Sequence, residues 1–253
     1  MSVNQAFEHS NRPDCLKGLT ILVTGAGSDF GHAVSTALAR HGAGLLLLDS
    51  KQRYLSPVYD DVAAIAEVEP VMIPFDLAAP PEHFHNIAQV IRHNVTCLDG
   101  LIHLASMNAP LTPMSHNKLD QWSVVFDKVT VAPLRLTQEL LPCLQESAHA
   151  SVLFQSIDVA RQPRAFWGPL GAAYAALENA VTTFQDELEN SSIRFNTIDP
   201  GRVKSAMRKK NYPAEPSTHL RKLDDSALLS YFIFLMSPAS IDVHGQQITV
   251  PNL

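Results

Sequence analysis

Short apolar runs alternate along the whole chain with segments whose apolar residues recur three and four positions apart. The apolar runs predict β-strands and the other segments predict amphipathic helices. Strands that alternate with helices form a parallel sheet covered by helices on both faces. The pattern therefore predicts an α/β protein with a doubly wound, three-layer α/β/α sheet in a single domain. The predicted strands are Ile21–Val23, Leu45–Leu48, Val71–Phe75, Leu101–Leu104, Ser151–Gln155, Arg194–Ile198 and Gln247–Val250.

Prolines mark several helix starts and one expected kink. Pro80-Pro81 begins a helix that reaches Asn94, and Pro169 lies near the start of another that reaches Leu188. The long helical stretch Lys118–Leu144 has Pro133 near its middle, where we expect a kink. Further predicted helices are Pro57–Ala66 and Ala227–Met236, and a polar, proline-containing stretch covers Arg208–Leu223.

The stretch from Ile21 to Asp49 has the pattern of a nucleotide-binding βαβ unit. An apolar strand runs into the glycine turn Gly25-Ala26-Gly27, a helix follows, and a second strand without polar residues ends at Asp49. The helix N-terminus offers N–H groups and a positive dipole to a pyrophosphate, and the acid accepts hydrogen bonds from a ribose diol. The stretch predicts the first half of a Rossmann-type dinucleotide site. The alternative, glycines that only make a tight connection, stays open at this point.

Composition argues against several classes of function. The formal net charge is −6 over 253 residues, which argues against a nucleic-acid partner. No apolar run reaches the roughly 18 residues that a membrane span needs, and residues 1–17 have no signal-peptide pattern. The three cysteines and eleven histidines lack metal-ligand spacing, and His103, in a predicted buried strand, is expected to be a core side chain. We expect a cytoplasmic protein without a metal, with an N-terminal extension (1–17) and one domain (18–253).

Several stretches of this chain resemble one enzyme family. They are Leu19–Ala26, Leu98–His103, Leu136–Pro142, Arg161–Gly168 and Asp199–Gly201 running on to Ser205–Arg208. Together they make the chain similar to the short-chain dehydrogenases/reductases, and most closely to the bacterial YciK-like group, over essentially everything after residue 17. The resemblance implies an NAD(P)-binding Rossmann-type fold and oxidoreductase chemistry. It also implies a homo-oligomer, a dimer or tetramer, paired through the long helices.

The resemblance implies a dinucleotide site with one unusual residue. Family members carry the turn Thr-Gly-x-x-x-Gly-x-Gly, and here Asp29 replaces the middle glycine. Two unit charges about 5 Å apart repel by roughly 3 kcal/mol at an effective dielectric near 20, so Asp29 should weaken pyrophosphate binding, while Gly27 partly restores room. Asp49 would repel a 2′-phosphate, so the expected cofactor is weakly bound NAD. The implied cofactor-binding residues are Gly25, Gly27, Ser28, Phe30, Gly31, Asp49, Asp76, Leu77, Ala105, Pro200, Gly201, Val203 and Ser205.

The positions that carry the family's chemistry hold other residues here. The family uses a tyrosine as acid/base, a lysine four residues later that lowers its pKa, a serine, and a helix asparagine. Counting from the Pro-Gly pair and along the long helix, these positions are Leu170, Tyr174, Ile157 and Val129, in that order. The resemblance therefore implies a catalytically impaired protein that acts as a dinucleotide-responsive or partner protein. An active sister subunit is a candidate partner.

An alternative hypothesis retains oxidoreductase activity. Tyr174 lies one helical turn beyond Leu170, and Ser156 and Asp158 neighbour the serine position. Tyr174 would then act as a displaced acid on a small carbonyl or alcohol, with NAD. Against this, Glu178 one turn further would raise the pKa of Tyr174, the wrong direction for this chemistry.

Overall fold

Seven parallel strands form the centre of the computed structural model, which describes residues 12–109 and 111–251. Their spatial order is β3-β2-β1-β4-β5-β6-β7, so the direction of winding reverses between β1 and β4. This reversal opens a crevice at the carboxyl ends of the strands. The doubly wound parallel sheet predicted from the sequence is confirmed. The strands are β1 (Thr20–Thr24), β2 (Gly44–Asp49), β3 (Val71–Pro74), β4 (Gly100–His103), β5 (Ser151–Gln155), β6 (Arg194–Asp199) and β7 (Gln247–Thr249).

Helices cover both faces of the sheet. Helices α1, α2 and α8 pack on one face, and α3, α5 and α6 pack on the other. Residues Leu45–Leu48 of β2 alternate between the two packed clusters and are each at most 3% exposed, as expected for a strand covered on both faces. The helices are α1 (Asp29–Ala39), α2 (Gln52–Ala63), α3 (Pro81–Asn94), α4 (Leu119–Phe126), α5 (Ala132–Gln145), α6 (Gly168–Glu187), α7 (Ala206–Asn211) and α8 (Ser226–Met236).

The predicted kink in the long helical stretch is a π-helical segment. Between α4 and α5, Asp127–Val131 is π-helical, and the N–H of Ala132 bonds to the carbonyl of Asp127 five residues earlier. Pro133 follows at once, and it has no N–H to offer the carbonyl of Val129. The wider turn accommodates this loss, and such segments are frequent at functional sites. We refer to Asp127–Val131 as the π segment.

Helix α2 differs from its predicted bounds. It begins at Gln52, so Pro57 lies inside the helix rather than at its start. The proline ring leaves the carbonyl of Arg53 without an N–H partner. Both residues are exposed, so solvent reaches that carbonyl and the helix continues.

The chain before β1 packs against the domain from at least Leu16 onward. Leu16 is fully buried, and its N–H donates to the carbonyl of His41 at 2.9 Å. Lys17 pairs with Glu67 at 2.8 Å. The expected extension thus contacts the fold at its end, and residues 1–11 of it lie outside the described part. No helix within residues 12–109 and 111–251 has the length and hydropathy needed to cross a membrane.

Candidate functional site

Two neighbouring cavities lie at the carboxyl ends of the strands. The larger has a volume of about 400 Å³ and is bordered by residues that end or follow β1 to β4. The smaller, of about 110 Å³, is bordered by residues that end or follow β5 and β6. Met107 and Met207 line both. We call them the large cavity and the small cavity, and they occupy the place where parallel α/β sheets bind ligands.

The glycine turn after β1 brings backbone close to backbone. Gly25 has φ +68°, and a Cβ there would lie 2.6 Å from the amide nitrogen of Ala105. A Cβ on Gly31 would lie 2.1 Å from the carbonyl oxygen of Gly25. Gly27 makes room for Tyr54, whose Cβ would be 2.6 Å from an added Cβ. Of these three glycines, Gly25 lines the large cavity.

Asp49 ends β2 at the wall of the large cavity and holds the glycine turn. Its Oδ2 accepts a hydrogen bond from the N–H of Gly27 at 3.1 Å. Its Oδ1 accepts one from the N–H of Ser50 at 2.7 Å and one from the Ser50 hydroxyl at 3.2 Å. The carboxylate therefore lies between the turn and the cavity, where the sequence placed a ribose-binding acid.

The N-terminus of α1 is capped by side chains of the chain itself. The Ser28 hydroxyl accepts from the N–H of Gly31 at 2.9 Å. Asp29 Oδ1 accepts from the N–H of Phe30 at 2.9 Å, and Asp29 Oδ2 accepts from the N–H of Ala206, the first residue of α7, at 2.6 Å. Asp29 was expected to repel a phosphate, and its carboxylate also accepts hydrogen bonds from two backbone amides.

The small cavity contains three of the four positions that the resemblance singled out. Ile157, Leu170 and Tyr174 line it, whereas Val129 is buried in the π segment and lines neither cavity. The wall is therefore aliphatic at Ile157 and Leu170, the positions that the resemblance assigned to a serine and a tyrosine. An aliphatic side chain neither donates nor accepts a proton.

Tyr174 has a protonated, buried phenol. It is 4% exposed, and burial raises its pKa above the ordinary value. The cause predicted from the sequence, the nearby Glu178, was wrong, because that carboxylate accepts a 2.5 Å hydrogen bond from the Ser156 hydroxyl and lies 3.5 Å from Nε of Arg161. Ser156 lines neither cavity.

A polar network lies beside the small cavity, with Glu178 and Asp199 buried and Arg161 exposed. Arg161 contacts Glu178 and also bonds to Asp199 Oδ2 at 3.1 Å. Asp199 Oδ1 accepts from the N–H of Gly201 at 2.9 Å. Burial raises the pKa of the Asp199 carboxyl, and the Gly201 amide and Arg161 partly oppose this. The network ties the Pro-Gly turn after β6 to α6.

An aromatic and charged cover closes the outer side of the small cavity. Trp167 stacks on Tyr212 with ring centroids 5.8 Å apart. Arg208 lies 4.8 Å from the Tyr212 ring centroid and makes a bidentate pair with Glu215 at 2.7 and 2.8 Å. Arg208, at the start of the polar stretch, thus lines the small cavity.

His103 is a buried core side chain, as predicted. Its Nε2 lies 2.9 Å from the hydroxyl oxygen of Thr137, and that hydroxyl donates to the carbonyl of Pro133 at 2.9 Å. Because the single hydroxyl proton is used there, Nε2 must carry the imidazole proton. Nδ1 has no partner among the described residues, and burial lowers the pKa of His103 to about 3.

The two cavities divide the predicted cofactor-binding residues between them. Gly27 and Gly31 line neither cavity and only shape the turn. The predicted residues that line the large cavity are Gly25, Ser28, Asp49, Asp76, Leu77 and Ala105. Those that line the small cavity are Phe30, Pro200, Gly201, Val203 and Ser205.

Sequence reasoning missed two lysines that line the large cavity. Lys51 lies two residues after Asp49, and Lys128 comes from the π segment. Neither makes an ion pair within the described part of the chain. The signal for Lys128 was its place one residue before the asparagine position. Within residues 12–109 and 111–251, no group of three His, Cys, Asp or Glu residues is placed to hold a metal ion.

The fold, the glycine turn and the crevice define a family. The chain belongs to the short-chain dehydrogenases/reductases: the family's sequence model, described as short chain dehydrogenase, matches residues 19–216. It is 32% identical over 235 residues to the uncharacterized oxidoreductase YciK of Escherichia coli K12, covering 92% of each chain. The predicted likeness to the YciK-like group is confirmed.

Solved structures have the same architecture. A short chain dehydrogenase from Pseudomonas syringae superposes with a TM-score of 0.91 at 34% identity, covering 95% of this chain and 97% of that one. Another, from Shigella flexneri 2a and complexed with NADP, has a TM-score of 0.90 at 31% identity, covering 94% of this chain and 99% of that one.

Proposed function

We propose that this protein binds a nicotinamide dinucleotide in the large cavity and lacks the family's standard hydride-transfer mechanism. It then acts as a dinucleotide-responsive protein or as a partner subunit of an active relative. The observation that carries the proposal is the wall of the small cavity. Ile157 and Leu170, which by the resemblance replace the serine and the tyrosine of the family mechanism, both line it, and the phenol of Tyr174 is buried.

The large cavity fits the adenosine half of a dinucleotide. Asp49 ends β2 on its wall, Asp76 and Leu77 follow β3, and Ala105 closes the floor against Gly25. An added Cβ at Gly25 would clash with the backbone of Ala105, so only glycine lets the turn after β1 pack against the chain that follows β4. A bound nicotinamide would supply hydride chemistry, and the residues of this chain would bind and orient it.

We infer a preference for NAD over NADP from Asp49. Its carboxylate is fixed by Gly27 and Ser50 at the cavity wall, where a 2′-phosphate would meet a like charge. The S. flexneri relative is complexed with NADP, so the preference concerns this chain alone. Titration with both dinucleotides tests it, and tighter binding of NADP would contradict it.

The phenol of Tyr174 is poorly suited to proton transfer near neutral pH. General acid–base groups work best with a pKa near the operating pH, whereas burial moves this pKa upward. The alternative site around Tyr174 and Ser156 is also weakened by geometry, because the Ser156 hydroxyl donates to Glu178 and not into the cavity.

Purified protein with NADH or NADPH and a panel of carbonyl compounds tests this proposal. We expect dinucleotide binding by calorimetry and no turnover. Turnover that Tyr174→Phe abolishes would establish the alternative site and overturn the proposal. Turnover that survives this change would overturn it as well, since another group would then move the proton.

We further propose a cytoplasmic homo-oligomer that pairs through α4 to α6. Leu119 is 80% exposed and Val124 is 48% exposed, both on α4. Burying these two side chains against a second copy would remove apolar surface from water, which supports the pairing that the resemblance implies. An active sister subunit would use the same surface.

A further inference from the structure

Asp29 connects the N-termini of two helices that are far apart in sequence. Its Oδ1 lies 2.9 Å from the N–H of Phe30 in the first turn of α1, and its Oδ2 lies 2.6 Å from the N–H of Ala206, the first residue of α7. Amide bonds to an ionised carboxylate are short and stronger than neutral ones. The side chain is exposed, so packing does not impose this position.

Most of the amides of the glycine turn already donate within the chain. Four donate to nearby backbone or side-chain oxygens: Ala26 to Leu48, Gly27 to Asp49, Ser28 to Gly25, and Gly31 to Ser28. The N–H of Phe30 donates to Asp29. An anionic ligand over this turn would use the helix N-terminal donors, and it reaches the Phe30 donor only when the carboxylate leaves.

The same carboxylate fixes the segment that covers both cavities. Met207, next to Ala206, lines both the large and the small cavity. The hydroxyl of Ser106 lies 3.4 Å from the Met207 sulfur. The Asp29–Ala206 contact therefore holds the start of α7 against α1, between the two cavities.

We propose that Asp29 is an internal substitute for a ligand phosphate. In the free protein, its bonds to Phe30 and Ala206 hold the start of α7 against α1, and we call this contact the latch. A dinucleotide binds fully only when the carboxylate leaves both amides. Charge repulsion alone would weaken dinucleotide binding without moving the protein. Here the affinity for the dinucleotide also depends on release of α7 from Asp29. For the identity of the ligand it rests on the proposed function.

Backbone hydrogen exchange without ligand tests the latch directly. We expect amides of residues 203–212 to exchange about tenfold faster in Asp29→Gly, because a charge-assisted hydrogen bond is lost. Asp29→Asn keeps the side-chain length and should give an intermediate rate. The matched control is Asp224→Asn. Asp224 and Asp29 line the same surface groove, so this change removes one negative charge nearby without touching the latch. Equal exchange in Asp29→Gly and the natural protein would overturn the latch.

Calorimetry with NADH and NADPH on the same variants tests the competition. We expect affinity to rise about tenfold in Asp29→Gly and to stay unchanged in Asp224→Asn. Binding that is equally tight in Asp29→Gly and the natural protein would overturn the substitute role. Faster exchange in Asp29→Gly, with no dinucleotide bound by any variant, would support the latch and overturn the proposed function.

Discussion

The hydroxyl of Ser156 donates a 2.5 Å hydrogen bond to the carboxylate of Glu178 on α6. Gln155 and Ile157, on either side of this serine, line the small cavity, whereas Ser156 lines neither cavity. Successive residues of an extended segment point to opposite faces. Ser156 therefore does not face the small cavity as Ile157, the predicted serine position, does.

Glu178 should contribute measurably to stability. It is 4% exposed and contacts both Ser156 and Arg161. Glu178→Gln removes the charge that faces Arg161 at constant volume, and we expect a loss of about 1–3 kcal/mol in the free energy of unfolding. Urea denaturation measures it. Glu187→Gln, an exposed change on the same helix, is the control and should have little effect.

His103 should make stability fall in acid. Its folded pKa is lowered to about 3, so between that value and its ordinary value near 6.5 the unfolded chain binds more protons than the folded one. The contribution of neutral, buried His103 to the free energy of unfolding is complete above pH 6.5 and is lost as the pH falls toward 3. At pH 4.5 the loss is about 2–3 kcal/mol.

Denaturation at pH 7 and pH 4.5 measures this loss. His103→Leu should reduce the difference in unfolding free energy between the two pH values, and the exposed-residue control His83→Leu should leave it as in the natural protein. An unchanged difference in His103→Leu would show that other groups cause the acid sensitivity.

Lys128 should contribute to dinucleotide binding. It lines the large cavity from the π segment and makes no ion pair within the described part of the chain. Lys128→Gln should weaken binding of NADH about fivefold, since an exposed charge pair contributes on the order of 1 kcal/mol. The control Lys118→Gln changes an exposed lysine just before α4 that lines neither cavity. Equal affinities by calorimetry would exclude the contact.

The exposed apolar side chains of α4, Leu119 and Val124, should contribute to assembly. We expect a dimer or tetramer by light scattering, and a monomer would refute this. Leu119→Lys should dissociate it, because a charge in an apolar interface is costly. Val90→Lys, at a 50% exposed position on α3, is the control and should leave the mass unchanged.

The elements and the glycine turn could be predicted because they depend on local patterns. The strand Leu45–Leu48 has no polar residue, and a strand without polar residues is buried on both faces wherever it packs. Pro133 predicted an irregular helix, because a missing N–H is a property of the residue itself. The form of that irregularity, a π-helical turn over Asp127–Val131, depended on packing.

The contacts of single side chains required the tertiary structure. Asp29 and Ala206 are 177 residues apart in the chain, so no local spacing relates them. Glu178 was correctly placed one turn after Tyr174, but its true partners are Ser156 and Arg161. The sequence by itself determined the helices, the strands and the glycine turn, because each depends on a local pattern of residues. Only the tertiary structure decided which donors meet which acceptors and which groups lose water, because both depend on neighbours that the fold brings together.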